Sequence, residues 1–388
     1  MSASFFDLTK YAATGIALPQ MTVYDKLKAL AMFGGSYPIS TITGLPPISF
    51  LSDGTPLTAY TIIGNEQQTG TPTADEPIQP EECGDRTANL FDESAPTVNA
   101  YINNSGEVVP SASDRLYDYM PFDNNATYSV TNGDHSGVLR FAYYDSGKNF
   151  ISRTALSLSA SMSSTITTPA SCAYVRISLD KTMTGIMLNT GSTAKPYEPY
   201  GYKITVTVGG TTYNVYLQEP IRKIGNYADV LNSSGTVTRR IRRLVLDGTE
   251  AGWGTLTADA SVGKRFSFLI PDAMQSDLTV GAKSVCSHFK LVVTGGTYNT
   301  QNSYAINDSS RLLVAMDASY TTVDDFKAFL ADEYSNGTPV TVWCVLSSAQ
   351  TDSADAPAIT PAAGSNTLTV GTTLQPSSVS ITGKIKEV

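Results

Sequence analysis

RFAYYDSGKNFISRT, residues 140–154, reads as two strands joined by a tight turn. Asp145 to Lys148 supply the turn, with Gly147 as the residue that tolerates a positive φ. Side chains alternate across a strand, so Phe141 and Tyr143 share one face, and Arg140, Ala142 and Tyr144 share the other. The expectation is that Phe141 and Tyr143 are buried and that Tyr144 points outward beside Arg140. The stretch AYVRISL, 173–179, has the same pattern. Ala173, Val175, Ile177 and Leu179 form its apolar face, and Tyr174, Arg176 and Ser178 form the other. If the two strands are neighbours, Arg140, Tyr144, Tyr174 and Arg176 make one amphipathic platform. A flat ring can stack on a sugar, and a guanidinium can donate several hydrogen bonds in a fixed fork. The same four residues equally suit packing against another domain, with Tyr144 as a cross-strand packing residue. Both readings also apply to Tyr117, Tyr119 and Trp253.

Further strands read at 126–130, 149–152 and 155–160, separated by Gly and Asn turns. Together they predict a β-sandwich of jelly-roll type over 89–201. Segment 45–88 reads as short strands at 47–51 and 57–63 followed by a Pro- and Gly-rich connector. Segment 202–244 is a hairpin connector that turns at Gly209 and Gly210. Segment 245–350 predicts a second sandwich, with strands near 265–270, 288–294 and 311–316 and a strong strand TPVTVWCVL. One helix lies near 322–335, capped by Thr322 with Asp325 at its third position. Val323, Phe326, Phe329, Leu330 and Tyr334 are its predicted buried stripe. Segment 351–388 is extended; its last strand, with Val379, Ile381 and Ile385 alternating, is expected to pair with strands around 47–63. Segment 1–44 carries a helix at 22–35, read either as a cover for one end of a domain or as an attachment element. The predicted class is therefore mainly β and multidomain, with two β-sandwich domains and short helices at the N-terminus and near 322–335.

Composition narrows the chemistry. The chain has 388 residues, 16% of them charged, and a formal charge of −9. That balance argues against nucleic-acid binding. No apolar run is long enough for membrane insertion, and no N-terminal leader pattern is apparent. Cys83, Cys172, Cys286 and Cys344 are widely spaced and read as buried thiols. The cluster RRIRR, 239–243, admits a phosphate site, but reads better as a solvated strand or an intersubunit salt-bridge strip. His135 and His288 have no metal-ligand spacing. His288 follows Cys286 by two residues, but no nucleophile elbow accompanies them, so packing is the expectation. The adjacent pairs Glu81–Glu82 and Asp324–Asp325 diverge and make no general acid/base pair. The expectation is a protein with no catalytic residues, no cofactor and no metal. Carboxylates brought together from distant positions would still permit a glycosidase.

Several runs resemble structural tail proteins of phages that infect Gram-positive, Firmicutes-type bacteria. They are GNEQQTGTPTADEPI at 64–78, GDRTANLFD at 84–92, YDYMPFDNNATYSVT at 117–131, LRFAYYDSGKNFISRT at 139–154 and TTPASCAYVRISLD at 167–180. TGIMLNTGSTAKPYEPYG at 184–201 and GSNTLTVGTTLQPSSVSITGK at 364–384 belong to the same set. The resemblance spans about 45–220 and 320–388. The 89–201 segment also resembles carbohydrate-binding jelly rolls, which usually hold sugars through solvent-facing aromatics. The resemblance implies a virion protein of the tail tip, baseplate or short tail fibre, made in the host cytoplasm, non-enzymatic and trimeric. Its implied partners are other tail or baseplate proteins and host cell-surface polysaccharide. No ligand residue of those families is matched position by position, so Arg140, Tyr144, Tyr174 and Arg176 rest on the strand pattern alone. A purely structural adaptor that binds only virion proteins is the alternative; a surface adhesin and a depolymerase are more distant ones.

Overall fold

The computed structural model describes residues 48–64, 82–94, 96–256, 264–275, 283–292, 301–372 and 376–382. The helix expected at 22–35 and the end of the last strand, with Ile385, lie outside them. The described residues are mainly β, with one helix, Val323–Ser335. They form two compact units. One is Gly84–Lys203 with Tyr216–Pro220; the other holds the remainder.

In the first unit two antiparallel sheets share a core. One sheet runs in the order Phe150–Leu158, Gly137–Tyr144, Tyr174–Asp180, Val108–Leu116, Thr97–Ile102. The other runs Ser163–Thr167, Thr127–Thr131, Met187–Thr190. Alternation decides what they bury. Leu139, Phe141 and Tyr143 from one strand and Val175, Ile177 and Leu179 from its neighbour meet Tyr128, Val130, Ile166 and Leu188 from the other sheet. Burial of Phe141 and Tyr143 agrees with the sequence pattern.

The opposite face of the larger sheet departs from expectation. Tyr144 is only 3% exposed. The cause is a hairpin at 97–116, outside the strands expected from the sequence. Its register shifts between Val98 and Ala100, where Asn99 has φ 62°. That bulge bends the hairpin over the sheet. The Ile102 amide reaches Ser178 Oγ at 3.4 Å, and Arg153 Nη1 donates to Ile102 O at 2.9 Å. Ala100, Ile102, Leu116, Ala142 and Tyr144 thus make a second buried cluster, with Phe150, Tyr119 and Tyr174 packed on it. Gly106, at the hairpin tip with φ 82°, rests on the Phe150 ring so closely that a Cβ would overlap it.

The turn after Tyr144 also differs. Lys148, not Gly147, takes the left-handed conformation, at φ 60°. The Lys148 amide donates to Asp145 O at 3.0 Å, and the Asn149 amide donates to the Asp145 carboxylate at 2.8 Å. The predicted strands at 149–152 and 155–160 are one strand, Phe150–Leu158, with a register shift between Phe150 and Ser152.

In the second unit nine strands follow one another in a long antiparallel sheet. Its order is Ile48–Asp53, Ala363–Gly371, Tyr202–Val208, Thr211–Leu217, Val340–Asp355, Thr236–Leu246, Val230–Asn232, Ala59–Ile63, Ser378–Thr382. The expected pairing of late and early strands is present: Leu368 faces Ile48, and Ile381 faces Tyr60. Gly209 and Gly210, at φ 57° and 85°, close the 202–217 hairpin.

A five-stranded sheet in the order Gly254–Leu256, Arg265–Leu269, Arg311–Ala315, Ser303–Ile306, Lys290–Leu291 packs with the helix. Thr322 caps that helix in a reciprocal capping box with Asp325, as the sequence predicts. Phe326 stacks on Phe266 with centroids 4.6 Å apart, and Leu330 is also buried. Tyr334 is exposed and leaves the predicted stripe.

Candidate functional site

The register places Tyr174 opposite Tyr144, Arg176 opposite Ala142 and Ser178 opposite Arg140. The four platform residues therefore do share one face of neighbouring strands. Two of them are committed within the unit. Arg140 Nη1 lies 2.6 Å from Asp114 Oδ1 and 3.6 Å from Asp180 Oδ1. Tyr144 sits under the hairpin, edge-on to Tyr119 at 4.9 Å and to Phe150 at 5.8 Å. Burial pushes its phenol above the usual range, Tyr119 adds to that, and Arg176 opposes it.

Tyr174 and Arg176 are half-buried. Arg176 Nε donates to Tyr117 O at 3.3 Å, and its guanidinium lies 4.9 Å from the Tyr119 ring centre. Lys148 Nζ lies 4.9 Å from the Tyr119 centre and 5.6 Å from the Tyr174 centre. The left-handed turn residue thus delivers an ammonium onto two tyrosine rings. Asp118, whose side chain is 80% exposed, stands 3.8 Å from Arg176 Nε. The cluster offers two half-open rings, two cations and one carboxylate, which suits stacking and hydrogen bonding to hydroxyls. Lys148 was missed in the sequence because Gly147 is the obvious left-handed residue. Of the other aromatics weighed, Tyr117 is buried against Phe91, and Trp253 packs on Phe268 and Phe326.

The RRIRR segment is not a solvated strand along its whole length, because Arg239 is buried. A register shift between Arg239 and Ile241 gathers its backbone around the buried Asp229. Asp229 Oδ1 accepts from the Arg240 and Ile241 amides at 2.8 and 3.0 Å. Asp229 Oδ2 accepts from Arg239 Nη1 at 3.1 Å and from the Arg222 amide at 3.2 Å. Arg239 Nε also meets Asp352 at 2.7 Å. Burial pushes the Asp229 carboxyl up, while Arg239, the two amides and Arg222 pull it back. Arg242 donates to Pro271 O at 2.7 Å, and Arg243 is exposed.

Ser287, His288 and Glu333 form a chain. Ser287 Oγ lies 2.7 Å from His288 Nδ1, and His288 Nε2 lies 3.3 Å from Glu333 Oε2. The order of groups is that of a hydrolase triad, but the setting is a packed one. Ser287 Oγ accepts the Thr341 amide at 2.8 Å, and both Ser287 and His288 are buried. The chain ties the end of the helix to the Val340–Asp355 strand. His288 is thus engaged by Ser287 and Glu333 rather than by Cys286. Burial pushes the Cys286 thiol up to about 11 and the Cys344 thiol up to about 12. Among the described residues no group of three or more His, Cys, Asp or Glu is placed to hold a metal ion. Comparison with family models, with curated proteins and with solved structures finds no match to this chain.

Proposed function

We propose that this chain is a non-enzymatic structural protein of a phage tail tip, baseplate or short tail fibre, and that it contacts host cell-surface saccharide. The sequence resemblance supports the virion role. The observation that carries the saccharide contact is the half-open Tyr119–Tyr174 pair under Lys148 and Arg176. On this reading the 89–201 segment is a jelly-roll sandwich, 245–350 is a second sandwich, and the assembled protein is a homotrimer. Individual contacts of this size are weak, and several copies on one particle raise avidity. The test is retention of the multimerised full-length protein on host cells. Y119A and Y174A should release it while circular dichroism stays unchanged. Retention equal to the parent in both variants removes the cluster from the binding surface.

The commitment of Arg140 and Tyr144 to contacts inside the unit withdraws half of the expected platform from any saccharide, and the alternative reading is an adaptor binding only other virion proteins. An adaptor would be retained by purified tail components and not by cell-wall material.

A further inference from the structure

We propose that a separate cleft in the unit of the long sheet binds an oxyanion, carboxylate or phosphate, carried on a small hydroxylated skeleton. The cleft has a volume of about 630 Å³, and Lys223, Tyr227, Arg240, Ile63, Ser377 and Ser378 are among its walls. That volume falls within the range of small-molecule sites, about 300–1,000 Å³.

The backbone dictates this arrangement. On the Ile221–Ile224 strand, Arg222 turns inward to Glu82 at 2.6 Å, which places Lys223 on the opposite face. A tight turn at Gly225, φ 56°, brings Tyr227 across from Ile224. The shift at Arg239 and Ile241 anchors the Arg240 amide on Asp229. The Arg240 guanidinium then lies 5.2 Å from the Tyr227 ring centre. A ring under a guanidinium fixes its plane before any ligand arrives.

The decisive feature is what these cations lack. Arg140, Arg222, Arg239 and Lys203 each meet a carboxylate. Among the described residues no carboxylate pairs with Arg240 or Lys223, and Arg240 Nε is buried without a hydrogen-bond partner. An oxyanion in the cleft would supply the charge-assisted hydrogen bonds that these two cations lack. The overall charge of −9 makes two unmatched cations in one cleft the less expected. Ser377 Oγ donates to Gly64 O at 2.7 Å, so its lone pairs remain to accept from a ligand hydroxyl, and Ile63 gives an apolar wall for a carbon skeleton. Two cations are too few for a nucleic-acid track. A second cationic cleft, lined by Arg86, Lys195 and Lys203, is the weaker candidate, because Glu198 already holds Lys203 at 2.6 Å.

This site shares no residue with the tyrosine–lysine cluster and stands whether or not that cluster binds saccharide. The experiment is calorimetric titration of the full chain at low salt with glucuronate, glucose 6-phosphate and glucose. At least one of the two anionic sugars should bind, and glucose should not. Their relative affinities distinguish a carboxylate site from a phosphate site. K223M/R240M should weaken binding by about tenfold or more, the worth of one charge-assisted hydrogen bond. Y119A/K148A should leave it unchanged. Should the double variant misfold, K223M alone should still cost several-fold. Binding of neither anionic sugar, binding of glucose as tight as theirs, or unaltered binding by folded K223M and K223M/R240M would overturn the proposal.

Discussion

Tyr174 stands directly across from Tyr144 in the antiparallel register, and one is half-buried while the other is sealed. Equal position on a sheet face does not mean equal access. The 97–116 hairpin covers Tyr144, while Tyr119 and Tyr174 pack on the same cluster only in part and carry Lys148 over their rings.

Gly106 should be the position on which this cover depends. G106A adds a Cβ that overlaps Phe150 and forces a left-handed backbone on a non-glycine residue. The left-handed conformation alone costs about 1–2 kcal/mol, and overlap in a packed site adds about 1–3 kcal/mol. Gly191, in the same unit at φ 87°, has nothing within 4 Å of its notional Cβ, so G191A should lose only the first part. Urea unfolding of both variants measures the difference. Equal losses would mean the hairpin tip does not bear on Phe150.

The strand alternation in 137–144 and 174–180 was legible because each side of those strands has one consistent character. The Thr322–Asp325 cap, the Gly209–Gly210 turn and the return of the last strands to the first were legible for similarly local reasons. The 97–116 hairpin was not. Its second strand, VVPSASDRL, carries Pro, Ser and Asp, and only Asp114 and Leu116 in it are buried, so it reads as a loop. The fate of Arg140 follows from the same omission, because Asp114 comes from that strand. The bulge at Arg239 and Ile241 was hidden too. Its cause is a buried carboxylate ten residues away, which no periodicity announces. The candidate surface was thus half legible: the shared face was visible, and its occlusion was not.

Asp229 should be the most costly surface-independent charge to remove. D229A takes the buried Arg239 guanidinium's buried carboxylate partner away and strips the Arg222, Arg240 and Ile241 amides of a side-chain acceptor. Breaking a buried pair of this kind costs about 3–5 kcal/mol. D352A, at the solvent side of the same arginine, should cost about 0–1 kcal/mol. Thermal and denaturant melts of the two variants test this order. A D352A loss as large as that of D229A would show that the arginine depends on both partners alike.

Glu198 should make its unit acid-sensitive. Burial raises its carboxyl, but the Lys203 hydrogen bond, the Ala88 amide and the charges of Lys203 and Lys195 outweigh that and hold it below its usual value. The unfolded chain therefore takes up this proton more readily than the folded one. The stabilisation is complete above the unfolded value, near 4.5, and is lost as pH falls from there through the folded value. E198Q should cost up to about 1 kcal/mol at pH 7 and flatten the loss of stability between pH 5 and 3. Denaturant melts across that range check it; parallel curves for E198Q and the parent would assign the acid response to other groups.

Lys148 should separate stability from binding. Its φ of 60° is a conformation that glycine adopts freely and lysine does not, so the turn holds a strained residue where Gly147, one position earlier, takes no such angle. That strain persists at the point where the ammonium covers Tyr119 and Tyr174. K148G should raise the stability of the unit by roughly 1 kcal/mol, the left-handed cost of a non-glycine residue. If the cluster is the saccharide surface, K148G should also lower retention on host cells. K148A removes the cation and keeps the strain, so it should lose retention without the gain in stability. A variant set in which K148G is more stable and both are retained like the parent would mark Lys148 as a turn residue with no part in binding. A K148G that is less stable than the parent would mean instead that the cation–ring contacts outweigh the backbone strain.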